Sequence, residues 1–569
     1  MIENIRSEQV NDVPLLLGIM EDMGIRRLID EEVPVHGHWQ GISPGTMVEI
    51  WLSYVLTEQD HRLVEVREWA NDRREMFNRA LGIELRATDL SDDRLAILVS
   101  VLGEERIQRQ LDEALIGEWV TVYGLPTETM RLDSTSVSVY GDAEAGSLLQ
   151  QGHSKDHRPD LAQFKVMLST LDPMGLPLAC EVVSGERADD GLYIPAYERM
   201  VAVLGRRDVL VVGDSKMAAL ATRGHLVSRG SRYLCSYRPV AGARDRWETW
   251  LDLALGQRET WQGVTETDER TGEIQPVAFV STWEREQRWQ DDLTHPETVW
   301  TERVLLVRSE SLRDGLIRKS QQRLATFGQA LDELALPPAK GRRRYRTRED
   351  LQAKVDSLLD QYHLRGLLQV ELTEQVLPNG TTRWIVPAFH LDQAAWDAAM
   401  DRLGWSIYLT NTLPEHYDIP SLLWTYRHQI VHERDFARLK TRRLYIRPVY
   451  LRDEGRIAGL VWLLCLALRV LTLTEFRLRS ELQRTQQALP GLNPAVPSQA
   501  TSRPTTERVL HAFRNLTLTL FSTQAQPVAF MPDLSATQRL VLSLLNLPGD
   551  LYSRLASGPP FLIHSLPES

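Results

Sequence analysis

The order of strand-like and helix-like segments between residues 128 and 237 is the feature that most constrains the fold. Runs rich in β-branched residues are followed by segments of helical character, and Gly and Pro turn signals separate them. In chain order, the sequence predicts strands at 130–140, 163–171 and 177–183, a helix at 190–204, a strand at 208–212, a helix at 216–228 and a strand at 232–237. A three-stranded meander followed by alternating helices and strands indicates an α/β fold.

A ribonuclease-H-like fold requires this order, although other α/β folds share part of it. Residues 1–125 are predicted to be helical, because apolar residues recur on a helical period and Ser43 and Pro44 supply an N-cap and a first-turn proline. Residues 240–415 interrupt the α/β pattern with acidic, turn-rich segments, candidate strands and a charged helical hairpin. This interruption has the appearance of a small inserted domain.

The chain is therefore predicted to consist of a mixed-sheet core, an α+β insertion and flanking helical parts. In chain order these are a helical N-terminal domain (1–125), the first part of the core (126–239), the insertion (240–415), the second part of the core (416–487), a linker rich in Pro, Ser, Thr and Ala (488–506) and a C-terminal helical segment (507–569).

Local basic clusters, rather than the net charge, decide whether the chain can bind nucleic acid. The 569 residues carry a formal net charge of −12, which at first sight argues against a polyanionic partner. Residues 340–348 nevertheless hold six bases and no acid, and residues 433–447 hold six bases and two acids. Because clusters of this kind set phosphate affinity, DNA stays among the candidate partners.

No segment predicts export or a membrane span. The N-terminus lacks a positively charged region followed by an apolar run. The most apolar stretch, residues 457–468, is ended by Arg469 and is shorter than the roughly 20 residues that a span needs, so it is predicted to be a buried core helix. The three cysteines lie far apart, which fits a reducing compartment. We expect a soluble, cytoplasmic protein with no membrane partner.

Two aspartates stand where a carboxylate needs an explanation. Asp133 interrupts a predicted strand, and Asp is depleted in strand interiors. Asp214 closes the apolar strand VLVVGD. Burying an ionised carboxylate is costly unless it is paired or bound to a metal. Asp214 has a second interpretation, since it can cap the helix that follows it.

A third carboxylate lies on a long helix predicted at 421–441. Tyr426, Glu433 and Lys440 are spaced by seven residues, which at about 100° per residue returns nearly to the same face, and Gln429 shares that face. One acid flanked by a phenol and an ammonium suits a metal-bound carboxylate beside a phosphate-binding rim. A solvated helix with salt bridges is the alternative interpretation.

Asp133, Asp214 and Glu433 together supply oxygen ligands of the kind that Mg²⁺ prefers. Two such ions about 4 Å apart activate the attacking oxygen and stabilise the leaving oxygen in phosphodiester transfer. The three carboxylates are therefore the candidate catalytic and metal-binding residues.

The loop after the first predicted strand carries basic side chains. His153 and His157 have the spacing of a metal-binding pair, but the loop lacks a helical pattern and Pro159 follows. Phosphate contacts by Lys155 and Arg158, or plain solvation, fit this loop better than metal binding.

These motifs resemble those of a known family. LDST at 132–135, VVGDS at 211–215 and the helix with Tyr426, Glu433 and Lys440 are similar to the motifs of bacterial insertion-sequence DDE transposases. In the narrower superfamily that they resemble, the helix reads Tyr, two residues, Arg, three residues, Glu, six residues, Lys.

Tyr426, Glu433 and Lys440 match this helix signature in register. Gln429 occupies the Arg position, and Arg427 lies two residues earlier. Further similar segments are GHSKDHRPDLAQFKV at 152–166, the G-x-P turn at 175–177 and the apolar segment at 444–469. The resemblance covers roughly residues 1–480, and the N-terminal part is similar to a unit found fused to these transposases. That unit is expected to serve DNA binding or dimerisation.

The resemblance implies a ribonuclease-H-like core with a β-rich insertion before the helix of Glu433. It implies hydrolysis of element-end DNA to free 3′-OH groups, followed by their attack on target DNA. Asp133, Asp214 and Glu433 would hold two Mg²⁺ or Mn²⁺ ions in each active site.

The implied partner is double-stranded DNA, both the terminal inverted repeats of the element and the target. The residues predicted to contact it are Tyr426, Arg427, Gln429, Lys440, Lys340, Arg342, Arg343, Arg344, Lys155 and Arg158. Because two element ends are joined in one reaction, a homodimer on DNA is expected, in the cytoplasm and associated with the nucleoid.

Two other functions compete with an active transposase. A metal-dependent nuclease could use the same core without strand transfer, but the full helix signature and the insertion argue against it. A catalytically silent DNA-binding regulator derived from a transposase is the other alternative. Loss of one acid would favour the regulator, and all three acids are present.

Overall fold

The fold comes from a computed structural model that describes most of residues 2–557. Within that range the residues not described are 36, 38, 142, 144–145, 153, 156–157, 239–243, 269–270, 292–293, 295, 336–344, 346, 379, 381, 448, 450, 497 and 524–527. The predicted DNA contacts Lys340, Arg342, Arg343 and Arg344, and the histidines His153 and His157, therefore lie outside the described residues.

Two compact units divide the chain. The first comprises Met1–Leu234, Trp289–Thr298 and Trp424–Ser569, and the second comprises Cys235–Arg288 and Val299–Leu423. The second unit covers most of the insertion predicted at 240–415, and the candidate residues Asp133, Asp214 and Glu433 all belong to the first. The individual domain boundaries stay predictions.

One strand and a series of helices open the first unit. They are β1 (Ile2–Gln9), α1 (Val13–Asp22), α2 (Ile25–Glu32), α3 (Pro44–Glu58), α4 (Leu63–Asn71), α5 (Arg74–Leu81), α6 (Asp92–Leu102) and α7 (Glu105–Val122). The predicted start of α3 is confirmed, because the Ser43 side chain accepts a hydrogen bond from the Thr46 amide at 3.2 Å and Pro44 lies in the first turn.

The ribonuclease-H-like core follows, in the order that the sequence predicts. Its elements are β2 (Thr129–Val139), β3 (Ala162–Leu171), β4 (Leu176–Ser184), α8 (Tyr193–Leu204), β5 (Leu210–Gly213), α9 (Leu220–Ser228) and β6 (Arg232–Tyr237). The strands lie side by side in the order β4-β3-β2-β5-β6. β2 to β4 form an antiparallel meander, and β5 pairs parallel with β2.

The second unit combines strands and helices around a hydrophobic core of its own. Its elements are α10 (Arg244–Gly256), β7 (Gln262–Thr267), β8 (Ile274–Trp289), β9 (Thr298–Ser309), α11 (Glu310–Ala335), α12 (Arg348–Gln361), β10 (Leu368–Val370), β11 (Thr373–Val376), β12 (Thr382–Ile385), β13 (Phe389–Leu391), α13 (Gln393–Asp401) and β14 (Trp405–Thr410). Phe327, Val355 and Trp396 are buried in its core. The unit is therefore α+β, as predicted, and α11 and α12 are the predicted charged helices.

The long helix predicted at 421–441 is broken. The chain forms α14 (Ile419–Arg427), α15 (Ile430–Ala437) and a π-helical turn at Arg438–Arg442. The Gln429 amide donates to the Tyr426 carbonyl at 3.1 Å and the Val431 amide to the His428 carbonyl at 3.0 Å. These bonds span three residues rather than four, so the backbone tightens here and the single-helix prediction is wrong.

The first unit ends with a long helix, a hairpin and three short helices. They are α16 (Glu454–Thr485), α17 (Thr506–His511), β15 (Thr517–Thr523), β16 (Val528–Phe530), α18 (Ala536–Leu544) and α19 (Arg554–Ser557). β15 pairs antiparallel with both β1 and β16. The two ends of the chain are therefore not wholly helical as predicted, because β1 and β15 gain their strand partners from opposite ends of the sequence.

The apolar helix α16 is a core helix, as predicted. It contains an 18-residue window apolar enough to cross a membrane, but 94 % of that window is buried inside the protein. Arg469 of this helix is fully buried and binds the equally buried Asp112 of α7, with 2.7 Å between Arg469 Nη2 and Asp112 Oδ1. The helix thus joins the N-terminal helices to the core.

Glycines allow the backbones of α16 and α6 to come into direct contact. A Cβ atom at Gly459 would lie 1.9 Å from the Val99 carbonyl oxygen, and one at Gly103 would lie 1.9 Å from the Gly455 carbonyl oxygen. Both distances are far below van der Waals contact. Any larger residue at these positions must push the two helices apart.

We predict that Gly459→Ala destabilises the protein. Separating α6 from α16 should lower the free energy of unfolding by about 1–3 kcal/mol, the usual range for overpacking, and urea denaturation measures it. Gly117→Ala in α7 is the matched control: beyond the adjacent backbone of α7, no atom of the described residues lies within 4 Å of the added Cβ, and helix propensity should raise stability by up to about 1 kcal/mol. Equal stability of Gly459→Ala and the wild type would refute the close packing.

Candidate active site

Asp133 and Asp214 lie at corresponding positions on adjacent strands. β2 and β5 are parallel neighbours, with Leu132 opposite Gly213, and each aspartate comes one residue later. The side chain of Asp133 is 22 % exposed, so it reaches the surface at this edge of the core. The strand pairing therefore brings together the two carboxylates that the sequence singled out.

The two carboxylates lie close enough for the charge of Asp214 to act on Asp133. Burial, and to a lesser extent the neighbouring charge of Asp214, raise the pKa of Asp133 to about 6, although Lys155 opposes the rise. Asp214 accepts hydrogen bonds at Oδ1 from the Tyr193 hydroxyl (2.6 Å) and from the Lys216 amide (2.8 Å). A pair of crowded acids of this kind attracts cations.

Lys155 lies directly beside Asp133. Its ammonium is 3.3 Å from Asp133 Oδ1, and it donates to the carbonyl (2.6 Å) and the hydroxyl (3.1 Å) of Ser134. The Lys155 amide also donates to the Ser136 hydroxyl at 2.7 Å. The loop predicted to touch phosphates is thus fixed on β2, and its lysine balances part of the aspartate charge.

The sequence did not predict a second ion pair, which lies next to Lys155. Lys165 of β3, which is almost fully buried, donates to Asp189 Oδ1 at 2.6 Å, and Lys155 lies 3.9 Å from Asp189 Oδ2. Burial opposes the ionisation of Asp189, but the Lys165 hydrogen bond and the lysine charges hold its pKa below the usual range. Asp189 comes just before α8, where the sequence signals only a helix start.

Glu433, the third candidate carboxylate, lies on the exposed side of α15. The neighbouring His432 and Asp435 are buried and point the other way. His432 Nδ1 lies 2.8 Å from the Thr170 hydroxyl of β3, and a Cβ atom at Gly175 would lie 2.3 Å from Asp435 Oδ2. These contacts fasten α15 to the β3–β4 turn and leave Glu433 facing solvent.

A buried ion pair holds the segment that leads into α15. Arg131 of β2 donates through Nε to both oxygens of Asp172, at 2.8 and 2.9 Å, and through Nη2 to the Thr425 carbonyl of α14. Arg131 lies two residues before Asp133 on the same strand. The strand with the first candidate carboxylate therefore also positions the helix before Glu433.

The other residues of the helix signature are spread over the broken helix. Tyr426 and Arg427 lie in α14, where the Arg427 guanidinium is 5.4 Å from the centre of the Trp424 ring. Gln429 lies between the two helices, and its carbonyl accepts from the Glu433 amide at 3.1 Å. Lys440 lies in the π-helical turn. The regular sevenfold spacing on one helix face is therefore not maintained.

Arg158, the second basic residue predicted in the loop, forms an exposed ion pair. Its guanidinium donates to both oxygens of Asp160, at 2.9 and 2.8 Å. The pair leaves Arg158 at the surface, with 43 % of its side chain exposed. Exposed pairs of this kind contribute little to stability, so Arg158 can release Asp160 and bind another anion at little cost.

Two of the three candidate carboxylates are arranged as ligands of a hard divalent cation would be. Carboxylate oxygens are the ligands that Mg²⁺ and Mn²⁺ prefer, and Asp133 and Asp214 offer them from adjacent strands. Among the residues that the structure describes, no group of three or more His, Cys, Asp or Glu side chains is close enough to hold a metal ion. Asp133 and Asp214 thus lie close to each other, and Glu433 does not join them in a group of three; their role as metal ligands stays a prediction.

We predict that Asp133→Asn stabilises the metal-free protein at neutral and alkaline pH. Because the folded pKa of about 6 exceeds that of an unfolded aspartate, ionisation costs stability as the pH rises from about 4 to 6. The variant should gain up to about 3 kcal/mol above pH 6 and nothing below pH 4. Denaturation in EDTA across this pH range measures the gain.

Asp160→Asn is the matched control, since this exposed carboxyl has a pKa lowered by the hydrogen bond from Arg158. The control should show no gain at pH 8. An Asp133→Asn protein less stable than the wild type at pH 8 would contradict the proposed cost of the carboxylate pair.

The comparison with protein families assigns the core. A family described as "Transposase DDE domain" matches residues 126–470, which is more than half of the chain. No curated protein matches the sequence. The matched segment contains Asp133, Asp214 and Glu433, runs from the start of the ribonuclease-H-like core through the second unit, and ends within α16. The chain therefore belongs to the DDE transposases of insertion sequences, a family of DNA-processing proteins.

Proposed function

We propose that this protein cleaves the DNA at the ends of its own insertion sequence and joins the freed 3′-OH groups to target DNA. The observation that carries the proposal is the juxtaposition of Asp133 and Asp214 on adjacent parallel strands of a transposase core. Their mutual repulsion and the raised pKa of Asp133 support a role as cation ligands.

Asp133, Asp214 and Glu433 would hold two Mg²⁺ or Mn²⁺ ions. When bound, such ions supply Lewis-acid activation of the attacking oxygen and charge stabilisation of the leaving oxygen. The exposed position of Glu433 on a short helix next to a tightened backbone suits a ligand that joins the two aspartates only when DNA and metal are present. Asp214 is oriented for this role by the Tyr193 hydroxyl and the Lys216 amide.

The basic side chains around the aspartates would place the scissile phosphate. Lys155 is tied to Asp133 and Ser134 and can move to a phosphate oxygen once cations neutralise the carboxylate. Tyr426, Arg427, Gln429 and Lys440 would bind the backbone of the transferred end, and Arg158 would extend this contact from the loop. Lys340, Arg342, Arg343 and Arg344 would follow the duplex from the second unit.

Double-stranded DNA is the proposed partner, as terminal inverted repeats and as target. Because strand transfer joins two element ends in one event, we propose that a homodimer forms on DNA. The place of action would be the cytoplasm, at the nucleoid.

We predict that cleavage at the terminal repeat depends on divalent metal and on Glu433. A labelled duplex that carries the element's own end should be nicked in Mg²⁺ and not in EDTA. Glu433→Gln should slow nicking by about a hundredfold or more, because a ligand to the charged transition state is lost. Glu113→Gln, an exposed glutamate of α7, is the matched control and should cleave like the wild type.

Tight binding of the duplex without cleavage in either Mg²⁺ or Mn²⁺ would refute the enzymatic proposal. That result would favour the catalytically silent regulator. Cleavage at the repeat without any joining of the 3′-OH to target DNA would instead favour a metal-dependent nuclease.

A further inference from the structure

A large cleft lies in the first unit, and Val431 and Arg434 of α15 line it, whereas the exposed Glu433 does not. Its volume is about 690 Å³, well above that of a single phosphate. Residues of α15 and α16 line it, together with residues 173–174 and 502–503. The cleft and the candidate active site therefore share one short helix.

One buried carboxylate organises three arginines at the base of this cleft. Glu475 of α16 is 2 % exposed and accepts from Arg434 Nη1 at 2.6 Å, from Arg438 Nη2 at 2.5 Å and from Arg479 Nη2 at 2.8 Å. Arg438 is paired a second time, with 2.7 Å between its Nε and Oε1 of Glu507. Arg434 and Arg479, which also line the cleft, therefore share one carboxylate, that of Glu475.

The cleft lining carries an excess of positive charge. Three arginines, Arg434, Arg479 and Arg503, line it, and among the described residues Glu475 is the only acid that does so. His428, which also lines it, is neutral at pH 7 because burial lowers its pKa. The lining has a net charge of +2 in a chain whose total is −12. Such a local reversal of sign attracts an anion.

The cations remain accessible from the solvent. The side chains of Arg434 and Arg479 are 27 % and 33 % exposed, and Arg503 is exposed. Arg503 lies near enough to Arg479 for its charge to act on that guanidinium. Exposed amides of Gln483 and Gln486 add hydrogen-bond donors along α16. Planar guanidinium groups and amides are the donors that bind phosphate oxygens.

We propose that this cleft binds consecutive phosphodiester groups of the DNA strand that runs past α15, with Arg479 and Arg503 as the principal contacts. The inference rests on the proposed function, because it takes DNA as the ligand. A strand that passes Glu433 and continues over α15 would meet the positively charged lining of this cleft. Its length along α16 suits a chain of phosphates better than one small anion.

The salt dependence of DNA binding tests the proposal. Fluorescence anisotropy of a labelled terminal duplex in EDTA, from 50 to 300 mM KCl, gives the slope of log affinity against log salt. Each lost phosphate contact should reduce this slope by about 1. We expect a reduction of about 1 for Arg503→Gln and about 2 for Arg479→Gln combined with Arg503→Gln, with affinity at least about tenfold lower in the double variant.

Arg484→Gln is the matched control. This arginine lies on the same helix, is 72 % exposed and pairs with Glu481, but it does not line the cleft. Its slope should equal that of the wild type. Because Arg503 is exposed, Arg503→Gln should fold normally even if Arg479→Gln disturbs the bond to Glu475, and circular dichroism checks both.

The outcomes separate this inference from the proposed function. Wild-type binding with an unchanged slope in both cleft variants would overturn the cleft assignment and leave the transposase proposal standing. A wild-type protein that binds no duplex would overturn both. Competition by inorganic phosphate, beyond that of KCl at equal ionic strength, would show a site for a free anion and overturn the assignment to a DNA strand.

Discussion

Arg469 and Asp112 form the interaction on which the rest of the first unit depends. Asp112 accepts from Arg469 and from the Trp462 indole through Oδ1, and from Arg199 through Oδ2. Arg469 also donates to the carbonyls of Pro177 and Leu178. One buried cluster thus joins α7, α8, β4 and α16, and the removal of either charge would leave the other uncompensated, at a cost of several kcal/mol.

This cluster holds β4, and the two candidate carboxylates lie two and three strands further across the sheet, on β2 and directly after β5. The meander of β2 to β4 is held by α16 through β4, so β2 and β5 can present Asp133 and Asp214 at the surface without support from a bound ligand. Burial, together with the neighbouring charge of Asp214, raises the pKa of Asp133, and this costs stability. Such a local cost is common where a site is built to receive a cation.

Local sequence patterns predicted the features that depend on neighbouring residues. The order of strands and helices along the core, the cap at Ser43 and the placement of Asp133 and Asp214 on separate strands of one sheet followed from periodicity, turn residues and fold logic. The core strands needed no distant partner for their identification, because hairpin turns and short connections keep them close along the chain.

The features that the sequence did not predict depend on distant contacts. β1 becomes a strand only by pairing with β15, near the other end of the chain, and Lys165 finds Asp189 only after β3 and α8 are in place. The break before α15 changes the phase of the helix, so the spacing of Tyr426, Glu433 and Lys440 did not predict their arrangement. The arginines around Glu475 come from separate segments and show no motif in the sequence.

We propose that Asp133 and Asp214 hold divalent metal in a complex with element-end DNA. Counting bound Mn²⁺ by electron paramagnetic resonance, with the terminal duplex present, tests it directly. We expect two Mn²⁺ ions per active site in the wild type, fewer in Asp214→Asn, and two in the control Asp160→Asn. An unchanged count in Asp214→Asn, or no bound Mn²⁺ in the wild type, would contradict it.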